Sequence, residues 1–263
     1  MDHGVELRVL EWRPHAAATK PPVLFVPGWV SVVEGWVEVL RALVADRRVI
    51  YLETREKRSA TFRRQLTADD FRIPRLAEDI RVAWRELGVP DGTVLFASSM
   101  GSNAILEALK DGGISARAAF LIGPNAALNV PWWGPLLFKV PVAAYGLVRA
   151  PVAWYLRHFR VNSREDPDQM RRYERTLREA EPARLRLSAR AIVGYTAWPD
   201  LERIEIPVAL AYAPSDTLHG GDDVEQLAMR IPGGRTVPCA SNTAMHRAEV
   251  VAELDRFVDD LEA

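Results

Sequence analysis

The sequence predicts an α/β protein: one mostly parallel sheet with helices on both faces and a helical insertion in the second half of the chain. Three observations predict it. Short apolar runs rich in β-branched residues recur along the chain. The segments between them carry apolar residues at helical spacing, which is the alternation of a parallel sheet covered by helices. The alternation stops between Asn125 and about Arg203, where nothing reads as a sheet strand, and then resumes.

Strands are expected at Val5 to Leu10, Val23 to Val26, Val49 to Leu52, Thr93 to Ala97 and Ala118 to Ile122, and after the break at Val208 to Ala213 and Arg235 to Val237. Trp36, Val37, Leu40, Leu43 and Val44 form one helical stripe, and Leu76, Ile80, Ala83, Trp84 and Leu87 form a second. The last helix repeats the pattern in Val250, Val251, Leu254, Phe257, Val258 and Leu261, so all three fit faces packed on a sheet. The apolar run Pro131 to Phe159 contains Pro131, Pro135, Pro141 and Pro151, which are expected to divide it into short helices because proline breaks helix interiors. A charged helical stretch follows from Asp166 to Arg190. Ten arginines between Arg157 and Arg190 face six acids there, the pattern of a solvated helix with i,i+4 pairs such as Glu174 and Arg178. The expected organisation is therefore a first core part at 1–124, a helical cap insertion at 125–203 and a second core part at 204–263.

Composition bounds the function. With 263 residues, 48% hydrophobic and 26% charged, the chain has the makeup of an ordinary globular protein. Its 34 basic and 35 acidic residues give a net charge of −1, which supplies no bulk field for a polyanion, so nucleic-acid binding is disfavoured. The single cysteine, Cys239, makes no internal disulfide, and the stretch Met1 to Glu11 lacks the basic and apolar regions of a signal peptide. Cytoplasmic residence is the expectation. No segment has the roughly 18 uncharged apolar residues of a membrane span.

The segment Phe96-Ala97-Ser98-Ser99-Met100-Gly101-Ser102 follows an apolar strand and opens the helical run Asn103 to Lys110. A serine on such a strand-turn-helix elbow has an exposed hydroxyl, and the turn closes only when the residues two before and two after are small. Ala97 and Gly101 meet this for Ser99, whereas Ser98 has Phe96 and Met100, so Ser99 is the nucleophile candidate. A serine hydroxyl needs a base. Of the five histidines, His3 and His15 lie near the start, His158 in the insertion and His219 in a polar turn. His246 follows the last strand and the small polar loop Ala240 to Thr243, just before the final helix, and is the base candidate. Asp216 lies just beyond the strand Val208 to Ala213, between serine and histidine in chain order, and is the candidate acid. Asp222 and Asp223, at a helix start, are runners-up.

Taken together, Val23-Leu24-Phe25-Val26-Pro27-Gly28-Trp29, the elbow at Ser99, the strand ending at Asp216 and His246 before the last helix resemble the α/β-hydrolase superfamily over essentially the whole chain. The resemblance implies a serine hydrolase of the esterase or lipase kind. It implies an oxyanion hole from the backbone N–H groups of Met100 and Trp29, with Val30 the neighbouring donor, and makes the insertion a cap over the site. Pro27-Gly28 stands where relatives carry His-Gly, Glu53-Thr54-Arg55 where many carry Asp-x-Arg-Gly, and Met245 where glycine commonly precedes the histidine.

The scattered histidines and lone cysteine offer no metal-ligand spacing, and neither phosphate-binding glycine loop is present, so no metal and no cofactor is implied. The apolar half of the insertion could line a pocket, touch a lipid surface or pack on the core. Pocket lining is the leading use, with Trp132, Trp133 and Phe138 as candidate substrate contacts. The expected function is hydrolysis of a carboxylic ester with an apolar acyl or alcohol part. A thioesterase, a carbon-carbon hydrolase and a non-catalytic binding protein are the alternatives.

Overall fold

The computed structural model describes residues 4–128, 134–137, 139–155, 157–158, 166–216 and 221–262. Among the described residues nine strands run in chain order: β1 (Val5–Glu6), β2 (Val9–Trp12), β3 (Val23–Val26), β4 (Val49–Leu52), β5 (Thr61–Phe62), β6 (Val94–Ser98), β7 (Ala118–Ile122), β8 (Val208–Tyr212) and β9 (Gly234–Pro238). Seven of them form one sheet in the order β2-β4-β3-β6-β7-β8-β9, with only β2 antiparallel to its neighbour. Every residue of β3, β4, β6, β7 and β8 is buried, which is why these strands read as continuous apolar runs rather than alternating ones.

The expected first strand is two strands. Val9–Trp12 joins the sheet edge beside β4, while Val5–Glu6 pairs antiparallel with Thr61–Phe62 in a separate two-stranded sheet. The sequence reading missed β5 because two residues carry no periodicity. Between β1 and β2, Arg8 turns its guanidinium to Glu53 at 2.6 and 2.8 Å.

Helices cover both faces. Helices α2 (Ile73–Glu86), α3 (Met100–Lys110) and α8 (Gly221–Arg230) pack with Leu24, Val26, Leu95 and Ala97; α1 (Val37–Val44) and α9 (Glu249–Asp259) pack with Val23, Phe25, Val94 and Phe96. Alternate residues of one strand thus feed opposite cores, as the pleat requires. Asp222 and Asp223 lie in the first turn of α8.

Between β7 and β8 the described residues form α4 (Gly134–Leu137), a 3-10 turn at Val142–Ala144, α5 (Tyr145–Tyr155), α6 (Pro167–Glu179) and α7 (Pro182–Ile192). Each of the last two starts with an acid capping the turn and a proline at the first position: Asp166 accepts from Gln169 N, and Glu181 from Ala183 N and Arg184 N. Two expectations change. Pro151 lies inside α5 instead of ending it, at the cost of the bond its missing N–H would give to residue 147. Glu174 pairs with Arg157, on the facing helical segment, and not with Arg178. The base of the insertion is closed by backbone bonds: Leu128 N donates to Tyr195 O (2.9 Å), Gly194 N to Leu128 O (3.0 Å) and Ala197 N to Ala126 O (2.9 Å). Among the described residues no helix is long and apolar enough to cross a membrane.

Candidate active site

The site is organised by the junction of β6 and α3. Ser98 ends the strand and is buried, whereas Ser99 is half-buried with φ 51° and ψ −117°, a left-handed backbone that a non-glycine residue rarely adopts. Its N–H donates to Ile122 O at 2.7 Å and its carbonyl accepts from Asn103 N at 3.1 Å, so neighbouring elements hold the strain. Gly101 is required by close approach: a Cβ there would stand 2.4 Å from Val26 O and 2.6 Å from Pro27 O. Asn103 ties the elbow to the start of the insertion, giving Nδ2 to Asn125 O (2.7 Å) and accepting from Asn125 N (3.0 Å).

Beside the elbow runs the turn after β3. Gly28 packs against it, its hypothetical Cβ 3.4 Å from Ser99 Cβ. The Val30 N–H donates to Glu56 Oε1 at 3.1 Å, which leaves Trp29 as the candidate oxyanion donor of this turn. The indole of Trp29 donates to Ser188 Oγ on α7 at 2.9 Å. Met100 opens α3, so its N–H belongs to the first turn, where helical N–H groups lack an intrahelical acceptor.

Asp216 follows β8 and is buried. Its Oδ1 accepts from Gln169 Nε2 (3.3 Å) and its Oδ2 from Asn242 Nδ2 (2.6 Å). His246, half-buried at the end of the 3-10 turn Ala244–His246, stacks on Trp36 with ring centroids 4.4 Å apart, and its Nδ1 lies 2.9 Å from Asn242 O. Asn242 therefore touches both candidates, one through its side chain and one through its backbone. The remaining amide oxygen of Asn242 accepts from Arg172 on α6 at 2.6 Å; burial pulls the Arg172 pKa below that of a free guanidinium. Asn242, Gln169 and Arg172 carried no signal in the sequence, because their role exists only once α6 lies against the loop after β9.

The clefts among the described residues include ones of about 780 and 440 Å3. The larger lies between the Val30–Glu34 and Glu53–Ser59 segments and α6 with Glu181; the smaller is lined by His246, Glu38, Arg41, Asp168 and Arg172 among others. Charged residues are the commonest type in both linings, although the larger cleft exposes more apolar than polar surface. Trp132, Trp133 and Phe138 lie outside the described residues, as does His219. Among the described residues no group of three histidine, cysteine or acidic side chains could hold a metal ion.

A parallel sheet with one antiparallel edge, a strained serine between strand and helix, and a helical insertion after β7 define the α/β-hydrolase class. A family model described as the alpha/beta hydrolase fold matches residues 21–222, and the chain belongs to that family. Similar solved structures include an esterase from Thermogutta terrifontis with malate bound (18% identity, 97% of this chain and 94% of that one, TM-score 0.74). A hydrolase from Oleispira antarctica (15%, 95% and 94%, 0.77) and the enol-lactonase from Burkholderia xenovorans LB400 (16%, 98% and 95%, 0.74) are also similar. No curated protein matches the sequence.

Proposed function

We propose that the protein is a serine hydrolase that cleaves a carboxylic ester with an apolar acyl or alcohol part, through an acyl-enzyme on Ser99. The observation that carries this reading is the backbone of Ser99. A positive φ between a buried strand and a helix N-terminus presents Oγ at the sheet edge, beside the first-turn N–H groups of α3. Esterase and lactonase activities named for similar structures support acyl transfer to water.

In this reading Ser99 Oγ attacks the ester carbonyl while its proton passes to His246. The Nδ1 of His246 faces a carbonyl, which only accepts, so that nitrogen carries the ring hydrogen and Nε2 keeps its lone pair for the proton. The N–H groups of Trp29 and Met100 hold the oxyanion. Collapse expels the alcohol with the proton from Nε2, and water repeats the sequence to free the acid and Ser99. Asp216 anchors Asn242 and so the loop that carries His246. The inserted helices form the cap, with Gln169 and Arg172 docking it on this loop. Leu147 and Trp154, seven residues apart and exposed on α5, are the side chains through which it would meet a lipid surface.

The test is a fluorophosphonate probe with peptide mapping, followed by turnover of matched esters and thioesters by the parent, Ser99→Ala, His246→Ala and His219→Ala. Labelling at Ser99 and loss of turnover in the first two variants are expected. Loss in His219→Ala but not in His246→Ala would move the base to residue 219, three positions after Asp216. An unlabelled, inactive parent would make this a binding protein, and faster thioester cleavage would change the substrate class.

A further inference from the structure

Beneath the turn after β3 lies a buried ion pair, Glu56 with Lys57, that the hydrolase chemistry does not itself use. Lys57 Nζ donates to Glu56 Oε1 and to Gly28 O, both at 2.6 Å. Glu56 Oε1 also accepts from Thr54 Oγ1 at 2.8 Å and from Val30 N at 3.1 Å. The pair thus grips the turn on both sides of Trp29, by a carbonyl before it and an N–H after it. Glu56 is 1% and Lys57 6% exposed, and burial pulls the lysine pKa below its ordinary value, with Glu56 opposing. Among the described residues every hydrogen bond to the carboxylate gathers on Oε1, and the buried Oε2 has no partner.

Two charges in so enclosed a place contribute little net stability, since an apolar pair of similar volume usually serves as well. What an apolar pair cannot do is fix two backbone groups one residue apart. The turn needs fixing: Val30 has φ 46°, the left-handed region, which costs a β-branched residue roughly 1–2 kcal/mol. We propose that Glu56 and Lys57 are positioning residues that hold the strained turn Gly28 to Val30 so that the Trp29 N–H is aimed at the oxyanion. This rests on the reading of Ser99 as nucleophile. The cap adds a third tie, because Arg184 on α7 donates to the Lys57 carbonyl.

The experiment uses the full chain with Glu56→Leu and Lys57→Met combined, which removes both charges together. Amide hydrogen exchange of the peptide spanning 26–32 is read by mass spectrometry, beside kcat and KM for p-nitrophenyl acetate. Faster exchange in this peptide, with kcat lower by about ten-fold or more and KM within about two-fold, is expected, since loss of one oxyanion donor costs about 10²–10³ in kcat. Unchanged exchange, or faster exchange at parental kcat, overturns the proposal. Arg47→Met, which breaks a buried pair with Asp255 elsewhere, should lower stability and leave both readouts of the folded protein unchanged. Should the double variant fail to fold, Glu56→Gln with Lys57→Met keeps the volume and an acceptor for the Val30 N–H while removing the tie to the Gly28 carbonyl. It should quicken exchange of the same peptide and lower kcat, and parental exchange with parental kcat there overturns the proposal. A parent with no ester turnover defeats the hydrolase reading instead, and the exchange result then decides whether the pair holds the turn.

Discussion

Asn242 donates its side-chain amide to Asp216 at 2.6 Å, so the candidate acid and the loop carrying His246 are joined through a residue that does not titrate. Asn242→Ala removes one of the amide donors to a buried carboxylate while keeping the backbone carbonyl that faces His246. A buried acceptor deprived of a donor costs about 1–3 kcal/mol of stability, so a lower thermal midpoint is expected, and kcat/KM should fall as the loop carrying His246 loosens. Asn242→Asp sets two carboxylates at hydrogen-bonding distance and should be worse on both counts. Equal activity in the parent and both variants would show that Asp216 acts without this contact.

Gly101→Ala tests the elbow. Its methyl would meet Val26 O at 2.4 Å, a backbone atom that cannot rotate away. Overpacking typically costs about 1–3 kcal/mol, and urea unfolding should show a loss at or above the upper end. Ester turnover should fall as well, because α3 must shift relative to Ser99.

The shape of the substrate is addressed by p-nitrophenyl esters from acetate to laurate. An apolar pocket should bind longer chains better until it is full, each buried methylene contributing about 0.8 kcal/mol. Trp132→Ala, Trp133→Ala and Phe138→Ala, each enlarging such a pocket, should move the optimum to longer chains. An unchanged profile in all three would limit them to packing, and a preference for charged acyl groups would transfer recognition to the arginine- and glutamate-lined clefts.

Acid should loosen the seat of α7, which packs on the turn Ala68–Phe71. Within that turn burial pushes the Asp70 carboxyl up, but hydrogen bonds from Arg64 and Thr67 outweigh it and bring its pKa to about 2. The folded value lies below the ordinary value of about 3.9, so this contribution is full above about pH 4 and fades as pH falls towards 2. Arg64→Met should move the acid unfolding midpoint to higher pH, and an unmoved midpoint would assign the acid sensitivity to other carboxylates.

How much of this was legible in the sequence follows from how local each feature is. Strands buried on both faces announce themselves as apolar runs, and the small residues around Ser99 are a steric demand written within five positions. Trp29 and Val30 were adjacent candidates until the fold committed the Val30 N–H to Glu56, a choice made across 26 residues. The grip of Glu56 and Lys57 reads in the sequence only as two opposite charges in a row. The contacts of Gln169 and Arg172 depend on where α6 comes to rest, which no periodicity encodes.

The backbone bonds between residues 126–128 and 194–197 have a consequence for how this protein could diversify. They bring the two ends of the inserted stretch together at one short seam, so everything between them forms a closed excursion from the sheet. Closure entropy grows only slowly with loop length, about 0.6 kcal/mol per doubling. Closure therefore sets little limit on the length of this stretch while β7 and β8 keep their register, and what constrains its exchange is the set of ties that Gln169, Arg172 and Arg184 make to the core.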